Sequence, residues 1–265
     1  MASTLAIISS KKIDQRFALL RATHRKALVC YVTAGYPTEA ACVELLRGLE
    51  SEGADIVEIG VPFSDPIADG PVIQDSSQQA LAAGMTLEKT LDLVSKAALQ
   101  IPVVLFTYLN PLMSAGDDVL TRASATGIDG ILLTDLPVGA DPEREKWLGE
   151  SELAFVRLVA PTTPLERMKE IALNGSGFVY LISRLGVTGA QATLATDLRE
   201  TTDRLRAATN LPICVGFGIS NGEQARTAAE GADGVVVGSA LVKASGQSVE
   251  AALSLTRSIR SALDS

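Results

Sequence analysis

Gly53-Ala54-Asp55-Ile56-Val57-Glu58-Ile59-Gly60 is a Gly-X-Asp triplet that launches a short, β-branched apolar run. The same form recurs. Gly127-Ile128-Asp129 precedes the run 130–134, and Gly231-Ala232-Asp233 precedes the run 234–237. Ile101-Pro102 and Leu211-Pro212 open two further runs of this kind. In each triplet the glycine is expected to supply a helix C-cap, and the Asp or Pro to begin an extended segment. Working outward from these points, eight runs read as strands: 27–33, 55–59, 102–107, 130–134, 154–159, 178–182, 212–216 and 234–237. Helical patterns lie between them. Residues 38–52 carry a Thr38 cap, Glu39 in the first turn, and Val43, Leu46 and Leu49 on one stripe. Residues 248–263 set Ala252, Leu255 and Ile259 on one face. Apolar runs alternating with helices predict a parallel sheet. Eight such units predict a single (β/α)8 barrel over residues 1–265, with an open doubly wound sheet as the alternative. The triplets are unequally spaced, which excludes a tandem solenoid.

Ahead of the first strand, Ile13, Phe17 and Leu20 share one helical stripe. They predict an extra N-terminal helix, within residues 1–24, covering the bottom of the barrel. His24 follows it and reads as a surface residue.

Composition agrees with this frame. The 265 residues match the typical length of such a barrel, about 250 residues. Aromatics are few (6 Phe, 4 Tyr, 1 Trp), so the core must be aliphatic. A net charge of −8 argues against nucleic acid as partner. It leaves room for a phosphorylated substrate, because backbone N–H groups can hold a small phosphate. Cys30, Cys42 and Cys214 form no CxxC pair, and His24 is the one histidine, so a Cys/His zinc site is not expected. Cys30 and Cys214 read as buried small hydrophobes. Near the N-terminus the basic residues follow the apolar run, the wrong order for a secretory signal, and no run approaches a membrane span. The expected location is the cytoplasm.

In such barrels the chemistry lies at the carboxyl ends of the strands. The second strand delivers Glu58. If Val57 and Ile59 meet the helices, Glu58 points into the barrel mouth, where desolvation raises its pKa; otherwise it is a solvated strand-end Glu. The loop beyond carries Asp69 and is stiffened by Pro62, Pro66 and Pro71. Two carboxylates there could act as acid/base and orienter; without a histidine they make a poor metal site. Asp65 reads as a turn residue. Three later exits are glycine-rich: 183–189, 216–220 and 238–239. Glycine permits close backbone approach, and exits seven and eight hold phosphate in many barrels.

The runs YVTAGYP (31–37), VEIGVPFSDPIADGPVIQ (57–74), TYLNP (107–111), TDLP (134–137), SRLGVTG (183–189), VGFGIS (215–220) and GSALV (238–242) resemble the tryptophan synthase α subunit family. They cover nearly the whole chain in order, and the second run is highly specific. The resemblance implies a retro-aldol lyase that cleaves indole-3-glycerol phosphate to indole and glyceraldehyde 3-phosphate. It implies Glu58 as the group that moves protons between the glycerol hydroxyl and indole C3, and Asp69 as the group that meets the indole N–H. Tyr180 would stand beside the substrate, and Thr188 would contact Asp69 when the loop 184–195 closes as a lid hinged at Gly186 and Gly189. Phosphate would rest on Gly189, Gly218, Gly238 and Ser239. Tyr31, Phe106, Leu132 and Phe217 would line the indole pocket. No metal or cofactor is implied in this chain, pyridoxal phosphate being held by a β subunit in an α2β2 assembly. Pro62, Phe63, Asp65 and Pro66, with Pro111, Leu112, Met113, Leu136 and Pro137, would present a largely apolar docking face to that partner. A stand-alone lyase releasing free indole, another phosphate-binding barrel such as a sugar-phosphate isomerase, and an inactive regulatory barrel are the rival readings.

Overall fold

Short aliphatic runs become the eight strands of a closed parallel barrel: β1 (Ala27–Thr33), β2 (Ile56–Gly60), β3 (Val103–Thr107), β4 (Gly130–Leu133), β5 (Ala154–Val159), β6 (Val179–Ile182), β7 (Ile213–Gly216) and β8 (Gly234–Val237). The computed structural model describes residues 10–182, 191–216 and 218–265, and only the backbone of 10–11 and 191–197. The strands pair in chain order, and β1 closes on β8 through Ala27↔Gly234 to Cys30↔Val237. The open doubly wound alternative is excluded. Observed strands fall within a residue or so of the expected runs. Pro102 and Pro212 stand just outside theirs, since proline has no N–H for the ladder.

The described helices are α1 (Ser10–Ala22), α2 (Glu39–Ser51), α3 (Pro71–Ala82), α4 (Leu87–Ala97), α5 (Leu109–Ser114), α6 (Val119–Ala125), α7 (Pro142–Gly149), α8 (Leu165–Leu173), α9 (Gln191–Ala208), α10 (Gly222–Ala229), α11 (Ser239–Ser245) and α12 (Val249–Leu263). Thr38 caps α2 by accepting the Ala41 N–H, and Ser248 caps α12 by accepting that of Ala251. Gly53 and Gly127 are left-handed, with φ of 91° and 99°, as expected after α2 and α6. Gly231, just after α10, differs from these two. It is not left-handed, because the chain leaves α10 through a turn in which Ala232 N–H reaches Ala229 O.

Closure fixes which side chains face inward. Val29, Ile56, Val104, Leu132, Val156, Phe178, Cys214 and Val236 fill the barrel, while Val57, Ile59, Val103, Leu105, Val179 and Leu181 pack outward against the helices. Ile13, Phe17 and Leu20 of α1 are buried in the inner cluster, and the Phe17 ring lies 5.8 Å from that of Phe178. The helix thus plugs the barrel bottom with its apolar stripe. Full burial of side chains this size stabilises by about 1.5–3 kcal/mol each.

The strand-launching aspartates have a second use. Asp55, Asp129 and Asp233 each accept the N–H at the start of the preceding strand: Leu28 at 2.8 Å, Val103 at 2.9 Å and Ile213 at 2.8 Å. Ser176 does the same for Phe155 at 2.8 Å, ahead of β6. The side chain satisfies a donor that the ladder leaves unpaired at the barrel rim. The basic residues of α1 then meet these carboxylates. Lys12 pairs with Asp129 at 3.1 Å, Arg16 with Asp55 at 2.9 Å, and Arg21 with Asp233 at 3.9 Å. Arg260, from α12, adds a buried pair to Asp55 at 3.0 Å and bonds Lys26 O at 3.0 Å, tying the last helix to the first two strands.

Arg260→Met takes the buried cation from Asp55 and leaves only the partly exposed Arg16 to compensate it, so unfolding stability should fall by about 1–3 kcal/mol. Arg16 is partly exposed, and Arg16→Gln should cost about 1 kcal/mol or less. Urea unfolding of the two variants checks the contrast.

Candidate active site

Glu58 follows from barrel parity. On β2, Ile56 and Glu58 face inward because Val57 and Ile59 are held by the helices. The carboxyl is 1% exposed, and its Oε1 has no hydrogen-bond partner among the described residues. Desolvation pushes its pKa up to about 8. Two phenols share the mouth. Tyr31 lies opposite Glu58 in the β1–β2 register, and Tyr180 comes from β6. Burial pushes both phenols well above their ordinary pKa, and the Glu58 charge adds to the rise. Glycine makes room for them. A Cβ on Gly60 would overlap the Tyr31 hydroxyl, and one on Gly216 would overlap that of Tyr180.

Asp69 stands at the far end of the loop after β2. Its Oδ2 accepts a hydrogen bond from the Tyr108 hydroxyl at 3.0 Å, and that hydroxyl accepts the Ala68 N–H at 3.0 Å. The Phe63 ring packs on Tyr108 with centroids 5.0 Å apart. Gln74, on α3, donates to Pro66 O and Asp69 O at 3.3 and 2.9 Å. The loop is therefore pinned by Tyr108 and Gln74 as well as stiffened by its prolines. Burial pushes Asp69 up to about 6, and the Tyr108 bond opposes the rise. Tyr108 is the site residue that sequence reasoning missed. Its signal was its place, the first residue after β3. Asp65 accepts from Ser64 Oγ at 2.5 Å, and its carbonyl accepts the Ile67 N–H, the geometry of a turn residue.

Tyr31 and Phe106 meet edge to face at 5.2 Å, and Leu132 lies fully buried beside Phe106 in the β3–β4 register. Gly218 is exposed and left-handed, with φ of 81°. Gly238 is the N-cap of α11 and Ser239 its first residue, with no side-chain cap on its N–H groups. Thr188, Gly189 and Phe217 lie outside the described residues, as does 184–190 of the expected lid with Gly186. Gln191–Ala195, expected in that loop, is instead the start of α9. Gln, Ala and Leu there favour helix.

The expected apolar docking face needs correction. Leu112 is 0% exposed, Leu136 is 4% exposed and Pro62 is also buried. Leu112 and Leu136 pack into the shell between barrel and helices. Phe63, Pro66, Pro111 and Met113 are half-buried, while Asp65 and Pro137 are exposed. Ile67, 83% exposed at the loop tip, is the apolar side chain that stands out there. A groove of about 670 Å³ between α7 and α8 lies outside the barrel and is lined by none of the site residues. Among the described residues no group of three or more His, Cys, Asp or Glu side chains could hold a metal, and no helix is long and apolar enough to cross a membrane.

A family model described as tryptophan synthase alpha chain matches residues 17–262. A tryptophan synthase alpha chain from Desulfatibacillum aliphaticivorans is 47% identical over 232 residues, 86% of this chain and 87% of that one. The Caulobacter vibrioides chain of the same name is 43% identical over 240 residues, 89% and 87% respectively. Among solved structures, tryptophan synthase subunit alpha from Legionella pneumophila superposes with a TM-score of 0.87 at 35% identity, covering 96% of this chain and 98% of that one. An aminoacrylate-bound tryptophan synthase from M. tuberculosis also gives 0.87, at 32% identity over 95% and 99%.

A buried, unpartnered Glu58 should be costly once ionised. Its folded pKa is raised, so between about pH 4.5 and 8 the folded protein holds a proton that the unfolded chain releases, and stability falls as pH rises. Glu58→Gln removes this dependence. It should be more stable than the parent at pH 8, on the order of a few kcal/mol, and little different at pH 4.5. Urea unfolding at the two pH values reads the difference.

Proposed function

The chain belongs to the tryptophan synthase alpha chain family and is a lyase acting on indole-3-glycerol phosphate, and from that premise we propose how its residues divide the work. Glu58 delivers a proton to indole C3. The C3–C1′ bond then breaks, its electrons return to the indole ring, and the C1′ hydroxyl becomes the aldehyde of glyceraldehyde 3-phosphate. The proton lost from that hydroxyl goes to the Glu58 carboxylate, which ends the cycle protonated as it began. One carboxyl serves both steps, so the balance needs neither metal nor organic cofactor in this chain.

The observation that carries this assignment is the split between two carboxyls of one strand and loop. At pH 7 a Glu58 with a pKa of about 8 holds its proton, and an Asp69 at about 6 is mostly ionised. The first is an acid, the second an anion suited to the indole N–H as positive charge develops on the protonated ring. Tyr180, Tyr31, Phe106, Leu132 and Phe217 would border the indole, and Thr188 would meet Asp69. Gly189, Gly218, Gly238 and Ser239 would offer backbone N–H groups to the phosphate.

A β subunit is the partner that the family implies. We place its docking on the exposed parts of the top-face loops, Asp65, Ile67 and Pro137 with half-buried Phe63, Pro111 and Met113. An α2β2 assembly in the cytoplasm, with pyridoxal phosphate confined to the partner, completes the reading. A stand-alone lyase is not favoured, since the relatives are alpha chains of tryptophan synthase.

Glu58→Gln keeps the shape but cannot exchange protons, so indole release should fall by at least about 10²-fold with folding intact. Asp69→Asn should be similarly severe. Near-normal turnover in the glutamine variant would remove Glu58 from its role. Adding a β subunit should raise the cleavage rate roughly tenfold, about 1.4 kcal/mol of barrier, and Asp65→Ala should blunt that rise more than it lowers the partner-free rate. No complex by ultracentrifugation and no change in rate would count against the partner.

A further inference from the structure

Tyr108 holds an unusual place. It is the N-cap residue of α5, yet its side chain makes no cap bond to that helix. N-caps are ordinarily Ser, Thr, Asp or Asn, whose oxygens take up an N–H of the first turn. The Tyr108 phenol instead reaches across to the loop after β2, where it touches three things: the Phe63 ring, the Ala68 N–H and the Asp69 carboxylate. The missing cap comes from another strand's exit. Asp135, just beyond β4, accepts the N–H of Leu109, the first residue of α5, through Oδ1 at 2.8 Å. A carboxylate at a helix N-terminus is favoured both by the hydrogen bond and by the helix dipole. Because Asp135 supplies the cap, position 108 is released to carry a phenol.

We propose that Asp135 is a positioning residue for the cleavage: it seats the backbone at Tyr108 and Leu109, and through the Tyr108 hydroxyl it holds Asp69 in its working orientation. This rests on the reading of Asp69 as the anion that meets the indole N–H. The line from Asp135 to Leu109, Tyr108 and Asp69 joins three exits of the top face, those after β4, β3 and β2. The titratable groups facing Asp69 are Tyr108 from the β3 exit and Tyr31 from β1, and Tyr31 is in turn the register neighbour of Glu58 on β2. The Tyr108 bond favours the charged form of Asp69. A misplaced phenol therefore makes Asp69 harder to ionise.

The test follows indole release by the full chain together with a β subunit, from mildly acidic to alkaline pH. Asp135→Ala should lower kcat about tenfold with KM changed by less than about twofold, because a transition-state contact is lost while phosphate binding is not. The acid limb of kcat/KM, which reports the free enzyme, should move to higher pH by about half a unit or more. Asp135→Asn keeps an acceptor oxygen and should restore the parental limb. Tyr108→Phe should give the same shift as Asp135→Ala, and the double variant should shift no further, as expected of residues acting in one line. An unmoved acid limb in Asp135→Ala, or additive shifts in the double variant, would overturn the proposal. Asp69→Asn separates the two levels. If it turns over normally, the role of Asp69 falls and the relay with it; if it is inactive while Asp135→Ala keeps the parental limb, only the role of Asp135 falls.

Discussion

Closing eight strands into a ring removes the freedom to choose which face of a strand is buried. Once β1 pairs with β8, each strand has one set of alternate side chains inside the barrel and the other against the helices. Val57 and Ile59 must join the outer shell, so Glu58 is carried inward with Ile56. The same parity brings Tyr31, Phe106, Leu132, Tyr180 and Cys214 inside. A carboxyl is costly there, and the raised pKa of Glu58 expresses that cost. The functional group is a consequence of closure, placed by the neighbours that closure forces into the core.

The two ends of the barrel divide stability from chemistry. At the bottom, three basic residues of α1 meet three strand-launching aspartates, and Arg260 ties the last helix to Asp55. Those aspartates each accept a strand N–H and face a cation, which suits a structural role. At the top, Glu58 Oε1 has no such partner and Asp69 has one phenol. Chemically identical groups thus differ by what the fold leaves them. A satisfied carboxylate stabilises; an unsatisfied one is reactive.

Aromatic side chains are scarce, and the fold concentrates them where they matter. Tyr31, Phe63, Phe106, Tyr108 and Tyr180 stand at or near the mouth, while Phe17 and Phe178 meet at the bottom. Gly60 and Gly216 end their strands without side chains, which leaves volume for the two phenols. Burial among these rings raises both carboxyls, and the Tyr108 hydroxyl draws Asp69 part of the way back toward its charged form.

Much of this was legible along the chain. The Gly-X-Asp triplets, the aliphatic runs and the Ile13, Phe17, Leu20 stripe determined eight strands and a plugging helix, because period and turn chemistry are local properties. Glu58 and Asp69 could be singled out by their place after a strand and within a proline-stiffened loop. Alternation left Glu58 either inward or solvated; closure decided it. The sequence offered Leu112 and Leu136 as surface residues because they follow strands, whereas packing between barrel and helices buried them. Nor could spacing reveal that Tyr108 would grip Asp69, 39 positions earlier, or that Asp135 would cap a helix beginning 26 positions before it. Local sequence determines which element a residue joins and which face it can offer. Which distant side chain meets that face is set only when the strands close and their exit loops converge on one rim.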